Sequence, residues 1–208
     1  MDVKFREVEH SLCIVLDNRI VAVYDSENPT GANGILCYGY IDKDAGLTFE
    51  GLGLVLYDDG DYTLIVEKSD LGFKIRAGAL DNAEIIPIKN QALRKKYAQH
   101  IELVEEAYYS DGEVERTRDY RCLDKFRHPH YPDDVLAVLY KPGLKPEQLW
   151  VRIKSYIENC PIEGTEAFCG VLLNQPFEER YGVCANDKVM VVAAKNPDAD
   201  RCVIALYE

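Results

Sequence analysis

Over its first 88 residues the chain sets short apolar runs between turn-forming clusters, with the period of strands rather than of helices. Asp61 to Lys68 is the clearest case. Tyr62, Leu64 and Val66 fall on one face, and Thr63, Ile65 and Glu67 on the other. Gly51 to Tyr57 precedes it, and Asp58-Asp59-Gly60 between the two runs predicts a hairpin. Ser11 to Leu16 and Arg19 to Tyr24 flank Asp17-Asn18, a pair that tolerates φ > 0, and predict another. With Ile35 to Ile41, Phe73 to Ala77 and Glu84 to Ile88, the segment reads as a mostly antiparallel sheet of about six strands.

The period changes at Lys89 to Tyr109. Leu93, Tyr97, Ile101, Val104 and Ala107 or Tyr108 recur at helical steps, with Arg94, Lys95, Lys96, Glu102, Glu105 and Glu106 between them. Such a helix either joins two β-rich halves or covers the open face of one sheet, and Ser110-Asp111-Gly112 ends it. A polar stretch follows, closing in His128-Pro129-His130-Tyr131-Pro132, where two prolines forbid a helix. Five apolar runs then return at Val135 to Tyr140, Gln148 to Ile153, Ala167 to Leu173, Lys188 to Ala194 and Cys202 to Tyr207. Turns too short for crossover helices separate them, which predicts a small barrel. The expected fold is α+β, mostly β. An N-terminal antiparallel sheet over 1–88 is followed by an amphipathic helix and linker over 89–112 and a small β-barrel-like domain over 113–208.

Charge narrows the partners. The 208 residues carry 36 acidic and 24 basic side chains, a formal net charge of −12. Residues 1–88 hold 16 acidic and 7 basic side chains, net −9, and residues 89–208 hold 20 and 17, net −3. That balance repels phosphate backbones and anionic lipid, so neither nucleic acid nor membrane is an expected partner, and an acidic face favours a basic protein. An acidic mimic of nucleic acid ranks last, because the acids are scattered among apolar residues. No run reaches the roughly 18 apolar residues of a membrane helix, and the first residues lack a secretory pattern, so the expected location is the cytoplasm. The seven cysteines form an odd set lying mostly in apolar runs, as free, buried, reduced thiols do.

His128, His130, Asp133 and Asp134 form the densest group of metal-capable side chains. Two imidazoles at i and i+2 share a strand face, and a carboxylate completes a three-ligand site with one open position. No helical His-Glu-x-x-His and no Cys-x-x-Cys accompanies them, so no cofactor is expected beyond that possible metal. Cys122 is the cysteine with basic neighbours, Arg121, Lys125 and His128, that would activate a nucleophile. The bases from Arg116 to Arg127 alternate with Glu113, Glu115, Asp119 and Asp124, which predicts local ion pairing. Gly51-Leu52-Gly53 and Pro29 to Gly34 lack the residues that phosphate loops require, and no Gly-x-Ser-x-Gly elbow is present.

Leu149-Trp150-Val151-Arg152, Gly170-Val171-Leu172-Leu173-Asn174-Gln175-Pro176, Gly182-Val183 and Asp187-Lys188-Val189 resemble a small bacterial domain family of unknown function. Its members show a Trp-Val-Arg strand, a Gly-x-Leu-x-Asn-x-Pro hairpin edge and a Gly-Asp turn. The resemblance covers about residues 133–208 and implies a fold rather than a chemistry. Asn186 stands where the family has Gly, a substitution that φ > 0 tolerates. On the residues themselves, Trp150 and Arg152 share a strand face, either as an exposed recognition patch or as a core Trp with Arg at its rim. Asn174 and Pro176 read as turn residues. The leading expectation is a bacterial, cytosolic, non-catalytic protein-interaction or regulatory module. The alternative is a metal-dependent hydrolase or small-molecule-binding protein using His128, His130 and Asp133 or Asp134.

Overall fold

The computed structural model describes residues 5–25, 30–67, 73–80, 83–108, 110–160, 162–196 and 199–205. Lys68, Tyr109 and residues 206–207, expected at the ends of elements, lie outside these residues, as do Pro29 of the Pro29 to Gly34 loop and Pro197 and Asp198 of an expected turn. The protein is mostly β and divides into two units, Met1–Tyr109 and Ser110–Glu208.

The first unit runs α1 (Phe5–Val8), β1 (Ser11–Leu16), α2 (Asn18–Tyr24), β2 (Gly34–Asp42), β3 (Gly46–Asp58) and β4 (Asp61–Glu67). It continues through β5 (Lys74–Arg76), β6 (Glu84–Ile88), α3 (Gln91–Lys96) and α4 (Ala98–Tyr108). The strands form one antiparallel sheet ordered β4-β3-β2-β1-β6, with β5 beside β3. At the β3–β4 hairpin Asp58 pairs with Asp61, and Asp59 and Gly60 take φ of 41° and 96°. Those positive values suit the twist of a two-residue hairpin.

Asp17-Asn18 does not make the second expected hairpin. Asp17 has extended φ and ψ, and its carboxylate accepts the N–H groups of Arg19 and Ile20 at 2.9 and 3.4 Å, as a helix N-cap does. Residues 18–24 are therefore helical. Ile20, Val21 and Tyr24 share the helix face that packs on the sheet, a period the run from Arg19 conceals.

All nine residues of β2 are buried, because both faces of the sheet are covered. Cys13, Val15, Ile35, Cys37, Phe49 and Leu54 pack with α1 and α2 on one side. Ile14, Leu36, Tyr38, Tyr40, Leu52 and Val55 meet Tyr97, Ile101 and Val104 on the other. The helical segment after residue 88 thus covers a sheet face within the first unit. It is two helices, capped by Asn90 and interrupted at Tyr97.

The second unit opens with α5 (Gly112–Thr117) and a 3-10 segment at Arg121–Phe126. β7 (Asp134–Leu139), β8 (Glu147–Ile157), β9 (Thr165–Leu172), β10 (Lys188–Ala194) and β11 (Cys202–Ala205) follow. They close a barrel in the order β10-β11-β7-β8-β9, antiparallel except where β11 meets β7. Val135, Ala137, Leu139, Leu149, Val151, Ile153, Val189 and Val191 point inward at every second position. Gly170 lets β8 and β9 approach: a Cβ there would lie 2.5 Å from Cγ1 of Val151 and 2.9 Å from the carbonyl oxygen of Arg152. Asn186 takes φ 73°, the conformation expected of it.

Candidate interaction surface

The polar stretch before β7 is held by three arginines. Arg118, 4% exposed, grips Asp133 with two hydrogen bonds of 2.9 Å and donates to Oγ of Ser110 at 2.7 Å. Arg127 donates to the carbonyl oxygens of Pro132 and Thr117 at 2.6 and 2.7 Å, and lies 3.4 Å from Asp124. Arg152 grips Asp134 at 2.7 and 3.0 Å. Ion pairing is thus the use of these bases, but the partner of Arg118 is Asp133, fifteen residues away, rather than an interleaved acid.

This bracing decides the expected metal set. The rings of His128 and His130 come together, with centroids 5.5 Å apart, but both aspartates are bound by guanidinium groups. Nδ1 of His128 accepts the backbone N–H groups of His130 and Tyr131 at 3.1 and 3.3 Å. Among the described residues no three His, Cys, Asp or Glu side chains group so as to hold a metal ion. Among the described residues the three-ligand site read from residues 128–134 is not assembled: each aspartate faces an arginine, and Nδ1 of His128 accepts backbone N–H groups.

Cys122 is buried against the barrel core. Burial and then the charge of Glu166 hold its thiol above the ordinary range, against the pull of Arg127, whereas a nucleophile needs the opposite shift. Arg121 and Lys125, its basic sequence neighbours, are exposed. Of the seven free cysteines, Cys13, Cys37, Cys122 and Cys202 are buried, Cys160 and Cys169 are half-buried and Cys184 is exposed.

Trp150 is not a core residue. Leu149, Val151 and Ile153 fill the barrel, so the strand period places Trp150 and Arg152 on the outer wall. Arg152 turns to Asp134 rather than to the indole. The imidazole of His128 stacks edge-on against Trp150 with ring centroids 5.1 Å apart, and Tyr131 contacts the same imidazole at 5.2 Å. A half-exposed aromatic group of Trp150, His128, His130 and Tyr131 results.

The loop after β9 carries an exposed aromatic residue that the sequence pattern did not single out. Phe177 is 96% exposed, and its loop is fastened at both ends to β8. Leu173 donates its N–H to the carbonyl oxygen of Trp150 at 2.8 Å, and the side chain of Asn174 accepts the N–H of Trp150 at 3.1 Å. The carboxylate of Glu147 accepts the N–H groups of Phe177 and Glu178 at 2.8 and 3.0 Å. Gln175 accepts the N–H of Ala185 at 3.1 Å, and Tyr181 donates to the carbonyl oxygen of Lys145 at 2.6 Å. Asn174 serves the turn as its chemistry predicts. Phe177 follows Pro176 inside a polar loop, outside any periodic apolar run, and that isolation is the one signal the sequence offers.

The first unit holds a second polar group that the sequence reading missed. Glu50 is fully buried in β3, with Oε1 3.6 Å from Nε2 of His100 on α4. Its cross-strand partner Tyr38 donates to Glu105 of α4, and Nδ1 of His10 lies 3.3 Å from the same carboxylate. These contacts fasten α4 to the sheet. Their signal was Glu50 itself, the one charge between Leu47 and Tyr57.

No family model, no curated protein and no solved structure matches the chain. The likeness of residues 133–208 to a small bacterial family therefore rests on its motifs. Among the described residues no helix is long and apolar enough to cross a membrane.

Proposed function

We propose that the chain is a non-catalytic protein-interaction module and that the barrel wall around Phe177 and Trp150 contacts a basic protein partner. One observation carries the reading: a phenyl group almost wholly in water on a loop whose backbone is held by Glu147 and Trp150 and whose side chains Asn174 and Gln175 accept from Trp150 and Ala185. Burying a Phe side chain contributes about 1.5–3 kcal/mol, and a loop already in place loses little entropy when it docks. Aromatic anchors of this kind dominate the energy of protein interfaces. The net charge of −12 adds long-range attraction for a basic partner and repels nucleic acid and anionic membranes. Of the ligands that a metal-dependent hydrolase would use, Asp133, Asp134 and Nδ1 of His128 already hold partners in Arg118, Arg152 and the turn.

Affinity purification of the tagged full chain from a lysate of its source cells, at low and at moderate salt, tests the proposal. The wild type retains one stoichiometric basic protein, and Phe177→Ala retains far less of it. Recovery of no stoichiometric protein at either salt, or equal recovery by Phe177→Ala, overturns it.

A further inference from the structure

The aromatic wall contains a device that the interaction reading does not require. A neutral imidazole has one donor and one acceptor nitrogen, and an imidazolium has two donors. Two backbone N–H groups, from His130 and Tyr131, aim at Nδ1 of His128. That nitrogen must carry a lone pair, which places the ring proton of the neutral form on Nε2. A second proton would arrive from water on Nδ1, where it would meet both N–H donors; that of Tyr131 keeps the carbonyl oxygen of His128 at 3.2 Å, and that of His130 loses the imidazole acceptor. The backbone of the same turn is tied to β7, because His128 N–H donates to the carbonyl oxygen of Asp134 at 2.8 Å and Asp134 N–H to that of Tyr131 at 2.8 Å. Movement of the imidazole therefore bears on the 128–131 turn and on the indole it packs against.

We infer that protonation of His128 remodels the outer wall around Trp150, so that the proposed contact surface exists in a neutral-pH form and is altered in mild acid. This regulation rests on the interaction reading for its purpose, but the switch itself does not. The groups that face His128 are few. His130 lies on its own turn, and Tyr131 contacts the ring from that turn. Asp134 on β7 is gripped by Arg152 of β8, and Asp133 beside it by Arg118. Trp150 supplies the facing ring from β8. With both aspartates engaged, Asp134 offers the imidazolium only partial compensation. Burial and the charge of His130 favour the neutral ring, and Asp134 opposes them.

Trp150 is the only tryptophan, so indole emission comes from this position alone, and the His128 variants assign the step to the imidazole. Its fluorescence is followed from about pH 8 to about pH 5, across the ordinary histidine range, with far-ultraviolet circular dichroism recorded on the same samples. The expected result is one fluorescence step, with a midpoint below the ordinary histidine value of 6.5 and no loss of secondary structure. His128→Asn, whose carbonyl oxygen can still accept the two N–H groups, loses the step, as does His128→Gln. His130→Asn keeps the step and moves its midpoint upward, because a neighbouring positive charge has gone. A step that persists in both His128 variants, a midpoint at or above 6.5, or an unchanged signal across the range overturns the switch. Those outcomes leave the interaction proposal standing, and failure to find a partner leaves the fluorescence step untouched.

Discussion

Asp133 and Asp134 are neighbours in sequence, yet each is bound by a different arginine. Removing one member of a buried pair leaves an uncompensated charge, which costs about 3–5 kcal/mol. Asp133→Ala should lower the stability of the barrel unit by that order, because Arg118 is buried; urea unfolding followed by Trp150 measures it. Replacing Glu178, whose partner Arg180 is exposed, should change the same curve little. His128 carries the pH dependence. Its folded-state pKa lies below the ordinary 6.5, so the unfolded chain binds the proton more readily. Stability is therefore whole above about 6.5 and declines as pH falls through the folded value, and His128→Asn should flatten that decline in unfolding curves taken across the range. Thiol chemistry is a separate check. Cys184 should react first with an alkylating reagent, while Cys13, Cys37, Cys122 and Cys202 stay unmodified until the chain unfolds, as mass spectrometry of the peptides would show.

At the level of elements, local and tertiary causes separate cleanly. The Asp59-Gly60 hairpin was legible because two adjacent residues with positive φ determine it. So were the five barrel strands, where inward side chains alternate over most of their length, broken at the neighbours Ala167 and Phe168 and at the register shift after Ile153. Asp17 misled because one short carboxylate serves a turn and a helix N-cap equally well, and the choice depends on Ile20, Val21 and Tyr24 finding the sheet. Trp150 stayed open for a related reason: a lone Trp commonly anchors a core, and here the strand period gives the inward places to Leu149 and Val151. The metal set was illegible because the ligands' true partners, Arg118 and Arg152, lie 15 and 18 residues away in sequence. Gly170 allows a direct test of how tightly β8 and β9 pack. Gly170→Ala should cost about 1–3 kcal/mol, since its Cβ would meet Arg152 backbone as well as Val151. A melting midpoint equal to that of the wild type would contradict that packing.

For the whole molecule the charge divides differently from the first count. The basic residues Arg94, Lys95 and Lys96 belong to the first unit, where Lys96 lies 2.5 Å from Glu67 and Arg94 donates to the carbonyl oxygen of His10 at 2.7 Å. Residues 1–109 thus hold 19 acidic and 11 basic side chains, net −8, and residues 110–208 hold 17 and 13, net −4. In the proposed interaction the more acidic unit would supply attraction at a distance and the less charged barrel the aromatic contact. Phe177 makes the account testable in isolation, because a side chain so exposed adds little to folding. Calorimetric titration of the purified partner into wild type and Phe177→Ala is the most direct measurement. The account predicts an unchanged melting midpoint for the variant and a loss of affinity on the order of 30-fold or more, the effect of removing an interface anchor worth about 2 kcal/mol. Equal dissociation constants for the two proteins would contradict it.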